Sequence, residues 1–223
     1  MICILQVRSS SKRLKEKAFL KLNQKLVIEN VVDRLLLSKK ISRIILATSN
    51  HSSDDKFKNL FKNKKVLVFR GSLVNVYLRY SKLIKKHNLK YFLRISGDSP
   101  LIDYRIIDKA FKIFKTNNYE IVTNTFKRSF PKGQSVEIIK SKIFLENSKQ
   151  IMSSSTFKEH VTKYFYKNHK KFKIYNFKNN NDFSSFNLSI DTDKDYKKIK
   201  KIIINLNKNF KWQTALKRYI SLK

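Results

Sequence analysis

Three glycines and two prolines are the only chain breakers in 223 residues. No linker rich in these residues divides the chain and no internal repeat is present, so the length reads as one large domain or as one domain with a substantial extension. The single cysteine, Cys3, cannot form an internal disulfide, and its place inside an apolar run makes it a small core residue rather than a nucleophile. No stretch approaches the roughly 18 uninterrupted apolar residues of a membrane span. The N-terminal run is broken by Gln6 and Arg8 before it could act as a signal peptide, so a soluble, cytoplasmic protein is expected.

Acidic side chains are also scarce. Sixteen face 50 lysines and arginines, a formal charge of +34. Such a balance can mark a nucleic-acid or anionic-surface binder. Here the lysines are scattered through every segment, and aromatics such as Tyr77, Tyr80 and Phe111 fall at core-periodic positions rather than beside basic clusters. A solvated lysine coat is therefore favoured over a dedicated nucleic-acid face. Polyanionic substrates would still feel its field.

What is present is alternation. Ile2-Cys3-Ile4-Leu5 is too short for a helix and apolar enough for a strand buried on both faces. It runs into a cationic, hydroxyl-rich loop ending at Lys17, a composition suited to a polyphosphate. Ile28, Val31, Val32, Leu35 and Leu36 predict an amphipathic helix ending near Lys39-Lys40. Strands are expected at 44–48, 66–69, 91–95 and 121–123, with helices carrying Leu73–Ile84 and Ile106–Phe114 between them. The pattern predicts parallel βαβ units, an α/β fold with helices on both sheet faces. Further on, Val136–Ile139 reads as a strand and Phe157, Val161, Tyr164 and Phe165 as one helical face. A late core strand is expected to end at Ser189-Ile190-Asp191.

All five glycines and prolines fall in loops, most just after expected strands. Gly97-Asp98 follows a buried strand directly, where a carboxylate can hold a metal over the sheet edge. Asp191 follows the late strand; its alternative is an N-cap for the helix beginning near Lys194. Two carboxylates and a cationic loop over one sheet edge would hold Mg²⁺ and a nucleoside triphosphate.

The motifs resemble those of cytidylyltransferases that activate acidic sugars, in particular the branch named for spore coat polysaccharide biosynthesis protein F. The resemblance rests on Gln6-Val7-Arg8-Ser9-Ser10-Ser11-Lys12-Arg13-Leu14-Lys15-Glu16-Lys17, Ala47-Thr48-Ser49, Phe69-Arg70-Gly71-Ser72, Val76-Tyr77-Leu78-Arg79-Tyr80, Arg94–Asp103, Glu159-His160-Val161-Thr162 and Ile190-Asp191-Thr192, in the family's order. It implies a three-layer nucleotide-diphospho-sugar transferase fold with a mostly parallel, Rossmann-like sheet. Residues 125–180 would form an acceptor and dimerisation extension of a single domain over 1–223. The implied reaction converts CTP and a sugar acceptor, such as an acidic nonulosonic sugar, into a CMP-sugar and pyrophosphate, in a homodimer that serves surface polysaccharide synthesis.

By the same resemblance Arg8, Lys17 and Asp98 are the catalytic set. Gln6, Arg8, Ser11, Arg13, Lys17, Arg70, Gly71 and Gly97 bind the nucleotide, Glu137 and His160 face the acceptor, and Asp98 with Asp191 holds Mg²⁺. Arg79 and Arg94 are read as partners for carboxylates such as Asp103. The chain departs from the family at Lys15-Glu16, where Pro-Gly is usual, and at Asn75, Ser135 and Lys163. Glu16 would place a like charge near the phosphates. A glycosyltransferase of the same fold is the alternative enzyme, though it would favour an Asp-x-Asp pair where this chain has Gly97-Asp98-Ser99-Pro100.

Overall fold

Short apolar runs between polar loops become the strands of the sheet. In the computed structural model, which describes residues 1–11, 13–61 and 65–222, these are β1 (Ile2–Gln6), β4 (Arg43–Ser49), β5 (Val66–Gly71) and β6 (Tyr91–Ser96). Lys12 of the opening motif lies outside the described residues. Between β1 and β4 come a small hairpin, β2 (Lys21–Leu22) and β3 (Lys25–Leu26), and helix α1 (Val27–Leu36). The hairpin has no clear apolar alternation; it turns at Asn23, whose φ of 56° suits asparagine. Helix α1 stops before the Lys39-Lys40 pair expected to end it.

Three more strands complete the sheet: β7 (Ile121–Thr123), β8 (Glu137–Lys140) and β9 (Ile174–Asn176). The order is β5-β4-β1-β6-β8-β7-β9, and only β8 runs against its neighbours. Alternate residues of each strand feed two layers. Cys3, Leu5, Ile44, Leu46, Leu93 and Ile95 pack with α1 and with α3 (Tyr104–Thr116). Ile4, Ile45, Ala47, Phe92 and Ile139 face α2 (Val76–Lys86) and α4 (Ser141–Glu146). This is the three-layer α/β arrangement expected. Burial on both faces explains why the strands read as unbroken apolar runs.

Two expectations need correction. The helical face from Phe157 to Phe165 is divided between α6 (Ser155–Glu159) and α7 (Lys163–Lys167), which follow the short α5 (Ser148–Met152). The break at His160 leaves its ring free of a helix interior. The late strand does not form: residues 187–190 make one isolated bridge, Lys132 to Asn187. There the Asn187 side chain accepts from the Ser189 N–H at 3.0 Å, a local turn that competes with a ladder. The following helices, α8 (Asp193–Ile203) and α9 (Trp212–Ser221), close a third cluster around Leu188, Ile190, Ile199 and Phe210.

Candidate active site

Because β4 and β5 lie on one side of β1 and β6 on the other, the strand order reverses between β1 and β6. Loops leaving the carboxyl ends of these two strands diverge there and open a crevice. The β1 loop is pinned by Asp54, which is wholly buried. Its carboxylate accepts from the Ser9 N–H at 2.7 Å and Ser9 Oγ at 2.6 Å, and from Thr48 Oγ1 at 2.7 Å and the Ser49 N–H at 2.9 Å. Burial alone would raise this carboxyl's pKa, but the hydrogen bonds outweigh it and hold the pKa below the usual value.

Further along that loop Glu16 adopts φ 53°, a left-handed conformation that glycine takes without steric cost. Its carboxylate turns outward to Lys56 rather than toward the crevice, which removes the like charge expected near the phosphates. The next residue, Lys17, points inward. Its Nζ donates to Ile190 O at 2.7 Å, and lies 3.1 Å from both Asp98 Oδ2 and Asp191 Oδ1. Arg13 approaches Asp191 Oδ1 from outside at 2.9 Å.

Each carboxylate is delivered by backbone docking. The Gly97 N–H donates to Gln6 O at 2.8 Å, and a Cβ at Gly97 would lie 2.9 Å from Val7 Cβ, so only glycine lets β6 close on β1 here. The Ile190 N–H donates to Asp98 O at 2.9 Å, which sets Asp191 beside Asp98 without any strand. Gly133, at φ 89°, supports the same segment: a Cβ there would sit 2.6 Å from the Leu188 carbonyl. Thr192 caps α8, with Asp195 returning the bond in a capping box, so Asp191 is not needed as a cap. Two carboxylates and a carbonyl thus converge on one point held by an ammonium. Hard oxygen donors of this kind fit a divalent ion. No larger acidic or histidine cluster exists among the described residues, so substrate oxygens would have to complete its shell.

The crevice is a cavity of about 510 Å³. It brings together Gln6, Arg8, Ser11, Arg13 and Lys17 from the first loop, Gly97 and Asp98 from the β6 loop, Asp191, and His160. Three expected site residues lie outside its lining. Arg70 donates to Ser49 O at 3.0 Å and His51 O at 2.8 Å and pairs with Asp55 at 2.6 Å, tying β5 to the β4 loop. Gly71 follows it. Glu137 sits behind the wall, buried against Arg94 and accepting from Tyr166 Oη at 2.5 Å. Burial would raise its pKa, yet the Arg94 guanidinium and the Tyr166 hydroxyl keep it below the usual carboxylate range.

Arg94 itself lines the cavity and holds Gln6 Oε1 at 3.2 Å. Its partner is therefore Glu137 and not Asp103, which instead caps α3 and accepts from the Trp212 N–H at 2.9 Å. Arg79 also lines the cavity, and its Nε and Nη1 have no partner among the described residues. Glu159, from α6, reaches Arg8 at 3.6 Å across the opening. The remaining departures are accommodated locally. Asn75 caps α2 through the Leu78 N–H at 2.8 Å, as an aspartate would. Ser135 Oγ accepts from Arg128 at 3.2 Å, and the Lys163 N–H donates to His160 O at 2.9 Å, a bond that proline could not make.

A family model for cytidylyltransferases matches residues 2–220. An uncharacterized protein of Methanocaldococcus jannaschii is 33% identical over 212 residues, spanning 94% of this chain and 84% of that protein. The spore coat polysaccharide biosynthesis protein SpsF of Bacillus subtilis is 25% identical over 208 residues, 90% and 85% of the two chains. Among solved structures, a cytidylyltransferase from Leptospira borgpetersenii superposes with a TM-score of 0.91 at 31% identity, covering 99% of this chain and 94% of its own. A CMP:2-keto-3-deoxy-manno-octonic acid synthetase, solved with CTP, shares the fold with a TM-score of 0.65 at 14% identity, over 89% and 96% of the chains.

Proposed function

The chain belongs to the cytidylyltransferase family and is a nucleotidyltransferase, and from that premise we propose that it moves a cytidylyl group from CTP to a sugar hydroxyl, releasing pyrophosphate. The observation that carries this reading is the convergence of Lys17 with Asp98 and Asp191 at the strand-order reversal, beside Arg8 and Arg13. When CTP enters, Lys17 exchanges its two carboxylates for phosphate oxygens. Asp98 and Asp191 would then hold Mg²⁺, which supplies charge neutralisation to the triphosphate.

Attack of the sugar hydroxyl on the α-phosphorus builds negative charge on the phosphoryl oxygens and on the departing pyrophosphate. Arg8, Arg13 and Lys17 neutralise that charge, and the pinned β1 loop fixes their position before the substrate arrives. No side-chain nucleophile is needed; Cys3 is buried, and burial pushes its thiol pKa up. The acceptor enters on the side of Arg94 and His160, where Glu137 sets Arg94 in place. Residues 125–180 provide that side and the contact face of a homodimer. The product is a CMP-sugar for surface polysaccharide, made in the cytoplasm; no helix among the described residues is long and apolar enough to cross a membrane.

The test is pyrophosphate release from CTP and Mg²⁺ with a panel of sugars that includes acidic nonulosonic acids. One acceptor should support turnover, and Asp98→Asn and Asp191→Asn should each abolish metal-dependent CTP binding. Silence with every acceptor, or normal Mg-CTP binding by both variants, would sink the reading.

A further inference from the structure

Most cations of the cavity have a partner. Arg8 has Glu159, Arg13 and Lys17 share Asp191, and Arg94 has Glu137. Arg79 differs. Its side chain is among the largest that are fully buried, yet its Nε and Nη1 have no hydrogen-bond acceptor among the described residues. Asp54 is the acid near enough to favour its charge, but that carboxylate is already engaged by Ser9, Thr48 and Ser49. Burial is the main weakening of the guanidinium's hold on its proton, and Arg8 adds to it.

The fold goes out of its way to keep this residue. Arg79 lies one turn into α2, and its stem passes the end of β5 at Gly71, where a Cβ would come within 2.9 Å of Arg79 Cγ. One of only three glycines in the chain thus makes room for an arginine whose Nε and Nη1 have no acceptor among the described residues. An unpaired buried charge costs stability, and such groups persist where a ligand supplies the missing partner. A guanidinium is a flat fork matched to the oxygens of a phosphate or carboxylate.

We infer that Arg79 is a substrate-binding residue whose guanidinium receives an oxyanion, a phosphate or a carboxylate, brought by a substrate into the α2 side of the cavity. The identity of the substrates rests on the nucleotidyl-transfer reading; the role of Arg79 rests on its burial and its missing partner. Two groups could supply the oxyanion, the phosphates of CTP and the acid group of the acceptor, and binding experiments separate them.

The full-length protein, Arg79→Met and Arg79→Lys are compared by thermal melting without ligand and by calorimetric titration with Mg-CTP, 2-keto-3-deoxy-manno-octonate and inorganic phosphate. Without ligand, Arg79→Met should melt at or above the parent temperature, since an unpaired charge has been removed. Affinity for at least one probe should fall about tenfold or more in both variants, the scale of a lost charge-assisted hydrogen bond. Loss confined to Mg-CTP and phosphate assigns the nucleotide as the source, and loss confined to the octonate assigns the acceptor. A parent that ignores Mg-CTP but loses its phosphate response in the variants would end the nucleotidyl-transfer reading and leave the Arg79 role standing. The inference is overturned if both variants melt lower or fail to fold, if all probes bind parent and variants alike, or if the parent binds none of them.

Discussion

At Glu16 the backbone holds φ 53°, where a side chain costs about 1 kcal/mol relative to glycine. The exposed ion pair with Lys56 offsets little of that, because pairs in water contribute a few tenths of a kcal/mol. Glu16→Gly should therefore raise the melting temperature by about 1–3 °C in a chain of this size. A lower melting temperature would show that the pair with Lys56 outweighs the backbone term. One residue further, Lys17→Met should lower kcat at least about 100-fold, the scale of losing one group that stabilises transition-state charge. Steady-state kinetics at saturating CTP would check it, and a change confined to KM would mean that Lys17 only binds.

At the scale of elements, the β1 loop depends on a contact that crosses 45 residues, Ser9 to Asp54. Asn at position 54 would turn an amide N–H₂ toward donors that now face a carboxylate, so Asp54→Asn should cost about 2–3 kcal/mol at pH 7. The carboxyl is held below its ordinary value of 3.8, so its contribution is complete above that pH and is lost as pH falls through the depressed native value. Melting curves of parent and variant should therefore stay apart from pH 7 down to about pH 4 and converge only as the pH falls below 3.8. A gap that persists undiminished would assign Asp54 a purely packing role.

Sequence pattern made the parallel strands, the cationic loop and Asp98 legible, because periodicity and a strand-end position are local signals. Asp54 carried no such local sign, because its bond to the Ser9 N–H spans 45 residues. Asp191 was expected at the end of a strand, whereas a single backbone bond to Asp98 places it. Arg79 and Arg94 sit at helix and strand positions with no local sign of their partners: that of Arg94 is on an inserted antiparallel strand, and Arg79 Nε and Nη1 have none among the described residues.

The molecule as a whole carries +34 on its surface and in its cavity, and the two parts should behave differently in salt. Within the cavity, Lys17 and Arg94 are shielded from solvent and close to their partners, so ions in solution screen them weakly. The scattered lysines lie at the surface, where the Debye length is about 10 Å at 0.1 M salt and only about 3 Å at 1 M. If the coat draws CTP toward the crevice, salt will weaken capture and leave the chemical step alone. Raising NaCl from about 0.05 to 0.5 M should therefore increase KM for Mg-CTP several-fold while kcat stays within about twofold. An uncharged acceptor in the same assay should keep its KM, which separates field steering from a general salt effect. A KM for Mg-CTP that ignored salt would leave the lysine excess as composition alone, with Arg8, Arg13 and Lys17 sufficient for capture.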